Sequence, residues 1–343
     1  MDAPYLLRLL SLSFEFFNTF FMKVIEHYEN AKEPLVSFEV IPPKRGGNIA
    51  SVFETLDQVM RFRPPFIDVT SHAAEAYYEE MQDGTVKRHV KRKRPGTIGL
   101  CAAIKHRYKI DPVPHLICKG FTKEETEDAL IELHYLGIQN VLAIRGDDNG
   151  APKPYNKSRQ INEYAVDLVR QIQDMNKGNY LENLIDASGT DFCVGVGGYP
   201  EKHFEAPNLE WDIQRLKEKV EAGADYIVTQ MFYDNKQFFD FCDACRKAGI
   251  EVPIIPGLKV LTLSRHLTSL PRSFFVNIPL ELAAEVQKNP DRARDIGVEW
   301  SIKQCKELLD YGVPGLHFYV MGNPEPAIKV IEKLPLGQTQ SSS

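Results

Sequence analysis

Leu136-Gly137-Ile138-Gln139-Asn140-Val141-Leu142-Ala143-Ile144-Arg145-Gly146-Asp147 holds a helix end, a glycine stop, a buried strand and a polar rim in one short stretch. The run before it, Thr122 to Leu136, has the apolar spacing of an amphipathic helix, and Gly137 stands where a left-handed C-cap closes one. Asn140 to Gly146 is then a near-continuous apolar run of strand length, as expected of a parallel strand covered on both faces. Helix, short turn and parallel strand together form the repeating unit of α/β folds.

Working outward, the same unit recurs on both sides. Strand runs are read at Leu35 to Ile41, Phe66 to Ser71, Pro114 to Cys118, Phe192 to Tyr199, Tyr226 to Phe232, Val252 to Leu258 and Gly315 to Met321, which with the central run make eight. Helical patterns lie between them at Ile49 to Phe62, Glu163 to Met175, Leu209 to Ala222, Lys236 to Ala248 and Asp291 to Tyr311, with a second C-cap glycine in Ala222-Gly223-Ala224. Alternation alone is compatible with a doubly wound open sheet. Eight units in 343 residues with no composition break favour a single-domain (β/α)8 TIM barrel over residues 22–336. Residues 1–21 read as a dispensable extension and the Ser/Gln tail 337–343 as disordered.

A net charge of -6 and a pI near 5.9 argue against nucleic acid or an anionic membrane as a partner. The apolar stretch Tyr5 to Phe21 is interrupted by Arg8 and Glu15 and has neither a basic leader nor a small-residue cleavage site, so neither a signal peptide nor a membrane anchor is expected. The dense run Lys87-Arg88-His89-Val90-Lys91-Arg92-Lys93-Arg94 reads as a solvated loop. Six scattered cysteines show no disulfide framework and suit a reducing cytoplasm; Cys242 and Cys245 fall on one face of a helix, which is the spacing of packing residues. No metal site is expected.

In a barrel the reacting groups sit at the C-terminal ends of strands. There the sequence offers three candidates. Glu39 interrupts the apolar run of Ser37-Phe38-Glu39-Val40-Ile41-Pro42-Pro43; desolvated near the mouth it would suit a general acid, and ion-paired it would be structural. Arg145-Gly146-Asp147 closes the fourth strand, where Arg145 is equally a structural ion-pair partner. Gln230, ending the sixth strand, offers a donor and an acceptor to a planar heterocycle or to the backbone. Gly195-Val196-Gly197-Gly198-Tyr199-Pro200 imitates a dinucleotide loop, but Pro200 takes the place of the third glycine and no helix follows at once.

In this order, Ser37-Phe38-Glu39 with Pro42-Pro43, Val69-Thr70, Pro114-His115-Leu116, Arg145-Gly146-Asp147, Tyr199-Pro200-Glu201 with His203, Thr229-Gln230, Ile255-Pro256-Gly257 and His317-Phe318-Tyr319 resemble the methylenetetrahydrofolate reductase family, in its short bacterial form made of the catalytic barrel alone. The resemblance runs from about Val36 to Asn323. It implies reduction of 5,10-methylenetetrahydrofolate to 5-methyltetrahydrofolate for methionine synthesis, with NADH or NADPH as hydride donor and FAD as the cofactor that serves both substrates in turn. A cytoplasmic homo-oligomer is expected. A non-redox pterin-binding methyltransferase on the same barrel is the alternative.

Carried over position by position, the resemblance implies flavin contacts at Thr70, His115, Arg145, Gly146 and Asp147, at Tyr164 and Ala165, and at Tyr199, His203, Asp212 and Lys219. Glu39 takes the place of the catalytic acid, Asp147 lies beside the flavin and can stabilise a substrate cation, and Gln230 and Tyr319 line the folate slot. The chain departs from the pattern at Ser71-His72, where Tyr-Gly is common, and at Arg215 and Glu218, where Asn and Arg are expected. The basic run is expected to attract the anionic oligoglutamate tail of a folate.

Overall fold

A computed structural model describes residues 21–91, 94–146 and 160–336 of the chain. The strands are β1 (Leu35–Val40), β2 (Phe66–Val69), β3 (Glu75–Glu80), β4 (Val86–Lys91), β5 (Asp111–Ile117), β6 (Asn140–Ile144), β7 (Cys193–Gly198), β8 (Tyr226–Thr229), β9 (Ile254–Ile255), β10 (Gly257–Leu258) and β11 (Gly315–Met321). Apart from β3 and β4, they form one parallel sheet in the order β10-β11-β1-β2-β5-β6-β7-β8-β9. Its two ends, β9 and β10, are neighbours in sequence across Pro256, so the sheet closes on itself as the expected (β/α)8 barrel.

Alternation along the strands sorts the side chains into two layers. One parity, including Val36, Phe38, Val40, Ile67, Val69, Val141, Ala143, Val194, Val196, Leu316 and Phe318, packs outward into the core shared with the helices. The other parity fills the interior with a smaller cluster of Phe66, Val113, Leu142, Cys193, Tyr226, Val228 and Ile255. The N-terminal end of the barrel is plugged by α1 (Val24–Asn30), whose Val24 is fully buried in the interior cluster. The Val24 N–H donates to Asn140 Oδ1 at 2.7 Å, and His27 Nε2 lies 2.8 Å from Asp111 Oδ2.

The expected helices form, among them α2 (Ala50–Val59), α4 (Lys123–Tyr135), α5 (Ala165–Asn176), α6 (Leu209–Glu221), α7 (Asn235–Lys247) and α10 (Ala293–Tyr311), together with α3 (Thr97–Tyr108), α8 (His266–Phe274), α9 (Leu280–Lys288) and α11 (Glu325–Ile331). α4 starts at a reciprocal cap, the Glu125 N–H donating to Thr122 Oγ1 at 3.1 Å and the Thr122 N–H to Glu125 Oε2 at 2.9 Å. Cys242 and Cys245 are buried on α7 beside Phe238 and Phe241, and burial pushes both thiols up to about 12, as suits packing residues.

Two sequence expectations change in detail, and a third holds. The run Val252 to Leu258 is not one strand but two short ones, because Pro256 has no N–H to give to a ladder. The glycines that imitate a nucleotide loop lie inside β7, as the strand reading of Phe192 to Tyr199 expects, and a Cβ on Gly195 would come within 2.3 Å of the Tyr226 ring. The basic run is not a loop over Lys87 to Lys91: it is β4, paired antiparallel with the acidic β3, with Glu79 opposite Lys87 and the Tyr77 ring stacked on His89 at 4.8 Å. Opposite charges thus meet at Glu79 and Lys87, while Arg88 lies opposite Tyr78, and both Lys87 and Arg88 remain exposed to solvent. Arg92, Lys93, Asp147, residues 1–20 and the tail from 337 lie outside the described residues.

Candidate active site at the C-terminal mouth

Inward positions near the C-terminal ends of β1, β2 and β5 bring together Glu39, Asp68 and His115, all buried. His115 Nε2 lies 3.6 Å from Glu39 Oε2 and 3.6 Å from Asp68 Oδ1, which is ion-pair rather than hydrogen-bond distance. Neither Nε2 nor either Asp68 oxygen has a hydrogen-bond partner among the described residues. Burial pushes the Glu39 carboxyl up to about 7; the charge of Asp68 adds to this, while His115 and Lys259 oppose it. Burial pulls the His115 imidazole down, but the two carboxylates outweigh it and leave the ring above its usual value.

Beside Glu39, on the neighbouring strand β11, Tyr319 donates its hydroxyl to the Thr229 carbonyl at 2.5 Å. His317, one inward position deeper, bonds Ser37 Oγ through Nδ1 at 2.8 Å, and its burial lowers its pKa. The half-buried Gln230 turns its Oε1 back to the Met231 N–H at 2.9 Å, so its acceptor is engaged by backbone. A cavity of about 270 Å³ opens beside Tyr319 and Lys259, lined also by Thr262, Met321 and Asn323.

The rim carries most of the other expected residues. Arg145 pairs with Glu205 and places its guanidinium 5.1 Å from the centre of the exposed Tyr164 ring, which caps α5 ahead of Ala165. Gly146 adopts φ 84° and has Ile117 Cβ 3.2 Å from where its own Cβ would sit. Tyr199 meets the His203 ring edge-on at 4.7 Å, and the His203 N–H donates to Asp212 Oδ2 at 2.8 Å. Burial raises the Asp212 carboxyl and lowers the Lys219 ammonium to about 8; Lys219 Nζ donates to the Gly197 carbonyl at 2.6 Å. Thr70 Oγ1 lies 3.1 Å from His72 Nε2, and the Thr97 hydroxyl donates to the Thr70 carbonyl at 2.9 Å. Arg215 and Glu218, the two departures, pair with each other at 2.7 Å.

Two groups of the site escaped the sequence reading. Asp68 is a carboxylate interrupting the apolar run Phe66-Ile67-Asp68-Val69, the same signal that marked Glu39. Lys259 directly follows a strand end, a rim position in any barrel. A further carboxyl, Glu201, is raised to about 7 by burial while its Oε2 accepts the Asn277 N–H at 2.7 Å.

Comparison with known proteins gives a consistent set of relatives. The family model for methylenetetrahydrofolate reductase matches residues 23–335. Methylenetetrahydrofolate reductase 2 of Saccharomyces cerevisiae is 29% identical over 326 residues, covering 93% of this chain and 50% of the yeast protein. The 5,10-methylenetetrahydrofolate reductase of Salmonella typhimurium is 28% identical over 303 residues, covering 87% of this chain and 90% of that protein. The chain spans about half the length of the eukaryotic relatives it matches. Among solved structures, a Clostridium thermocellum protein described as binding two copies of 5-methyl-5,6,7,8-tetrahydrofolic acid superposes with a TM-score of 0.53 at 13% identity, over 90% of this chain and 96% of that one, a likeness of fold.

Proposed function

Because the chain belongs to the methylenetetrahydrofolate reductase family, we propose that it reduces 5,10-methylenetetrahydrofolate to 5-methyltetrahydrofolate, taking the hydride from NADH or NADPH with FAD as resident cofactor. The observation that carries this reading is Glu39, a buried carboxyl at the barrel mouth that holds its proton up to about pH 7. Opening the methylene bridge needs a proton on the departing nitrogen, and a carboxyl with a pKa near the working pH is suited to give it. The bridge carbon then becomes an iminium that accepts a hydride and ends as a methyl group, so one proton and one hydride are consumed per turnover.

FAD, when bound, supplies the two-electron carrier between the two substrates. The residues at the mouth fit such a group. Arg145 Nε is buried with no hydrogen-bond partner among the described residues, and a Cβ on Gly197 would touch nothing nearer than 3.8 Å, leaving space above β7. Thr70, His115, Arg145 and Gly146, with Tyr164, Ala165, Tyr199, His203, Asp212 and Lys219, are the residues assigned to hold it. Gln230 and Tyr319 are assigned to the folate, and Asp147 to the substrate cation. All six cysteines are free and buried, and no described helix is long and apolar enough to cross a membrane; the free thiols support a reducing compartment, the cytoplasm.

The test is spectroscopic. Purified protein is expected to show a flavin spectrum that bleaches anaerobically with NADH or NADPH and returns on adding 5,10-methylenetetrahydrofolate. A colourless protein that stays inactive after reconstitution with FAD overturns the reading, and methyl transfer without bleaching identifies a methyltransferase instead.

A further inference from the structure

Glu39 is flanked by two cationic side chains, His115 from β5 and Lys259 beyond β10, and each favours its carboxylate form. Left to them, the group would give up its proton to an ion pair and have none to donate. The described residues place one anion against this arrangement, Asp68 on β2, with 1% of its surface exposed and both oxygens lacking a hydrogen bond. Its nearest charged neighbour is the same imidazole nitrogen that faces Glu39, 3.6 Å from each carboxyl.

We propose that Asp68 is a positioning residue for Glu39: a buried negative charge that takes the imidazolium of His115 as its own counter-ion and so leaves the proton on Glu39. The proposal rests on the reading of Glu39 as the catalytic acid. The physical reason is competition for one cation in a region of low dielectric, where an unpaired charge is costly. With Asp68 present, His115 is already compensated and a second carboxylate beside it adds an unpaired negative charge. Without Asp68, Glu39 becomes the natural counter-ion of His115.

The remaining groups around the pair do not substitute for it. Tyr319, which faces Glu39 from β11, has its hydroxyl proton committed to the Thr229 carbonyl. His317, which faces Asp68 from the same strand, is held below its usual pKa by burial and is bonded to Ser37. Lys259 is itself lowered by burial and lines the cavity at the mouth. Tyr28, Tyr226 and Cys101 also feel the charge of Asp68, and burial holds all three protonated.

The experiment follows the Glu39 proton directly by infrared difference titration of the purified protein, the carboxyl carbonyl band being assigned by its loss in Glu39→Gln. The wild-type midpoint is expected near the Glu39 value of about 7. In Asp68→Asn it should fall by about one pH unit or more, the scale of a removed like charge, and Asp68→Glu should restore most of the shift. The folate half-reaction of Asp68→Asn should then fall about tenfold above that midpoint, with reduction by nicotinamide unchanged. An unmoved midpoint in folded Asp68→Asn overturns the proposal. If that variant does not fold, the ¹⁵N shifts of the His115 ring in the wild-type protein decide: an imidazolium at neutral pH supports the proposal and a neutral ring overturns it. The infrared band reports on the Glu39 proton, and through it on the effect of Asp68, whether or not the protein reduces folate, so failure of the reductase reading is separately visible as absent bleaching.

Discussion

Tyr319 on β11 donates its hydroxyl to the backbone carbonyl of Thr229 on β8, bridging the place where the barrel wall is interrupted at Pro256. The Gly257 N–H supports the same join by donating to Thr229 Oγ1 at 3.0 Å. Tyr319→Phe keeps the ring and removes the bridge, and should cost about 1 kcal/mol of stability in urea unfolding. Gly257→Ala should cost more, because its Cβ would fall 2.0 Å from the Thr229 carbonyl and 2.4 Å from the Tyr319 hydroxyl. Equal stability of Gly257→Ala and wild type would show that the wall here is loose.

Glu39→Gln keeps the size of the side chain and removes the transferable proton. Anaerobic stopped-flow should show cofactor reduction by nicotinamide largely retained while the folate half-reaction falls by roughly 100-fold or more. Equal loss in both halves would remove Glu39 from the role of acid.

The same substitution should stabilise the protein in a pH-dependent way. Glu39 has its folded pKa raised from 4.5 to about 7, so its contribution is fully present below 4.5 and is lost as pH rises through about 7. At about 1.4 kcal/mol per unit the loss approaches about 3 kcal/mol. Gln carries no such proton; the stability of Glu39→Gln relative to wild type should therefore rise by up to about 3 kcal/mol between pH 4.5 and about pH 8. Parallel stability curves for the two proteins would contradict the raised value.

Gly195→Ala should destabilise strongly, since its Cβ would lie 2.3 Å from Cζ and 2.6 Å from Oη of the fully buried Tyr226. Tyr226→Leu makes room and also leaves a cavity. In a double-mutant cycle by urea unfolding the pair should be non-additive, Gly195→Ala costing much less in the Tyr226→Leu background. Additivity would mean that the two side chains do not share the interior.

The barrel was legible because apolar runs of strand length alternate with amphipathic helical patterns, several of them closed by a glycine such as Gly137 or Gly223, and the count of eight follows from that alternation. The break at Pro256 was legible too, had the missing N–H been weighed against the run. The β3–β4 hairpin was not, because Glu75 to Glu80 and Lys87 to Lys91 read separately as charge, and their meaning lies in pairing each other. Glu39 was found because a carboxylate inside an apolar strand is conspicuous, and Asp68 carried the same mark. That one imidazole would serve both could not be read, since which inward positions meet depends on the stagger of β1, β2 and β5 around the barrel.

The pairing of β1 with β11 places Ser37 beside His317 and Glu39 beside Tyr319, partners at opposite ends of the sequence. During synthesis β1 therefore emerges with one edge that nothing can satisfy until the chain has been made past Gly315. Until then the nascent protein presents an open row of backbone donors and acceptors along β1, an edge prone to pairing with other chains. The strand that carries the acid is thus completed last, and chain length sets the earliest moment at which the protein is both safe from aggregation and equipped for chemistry.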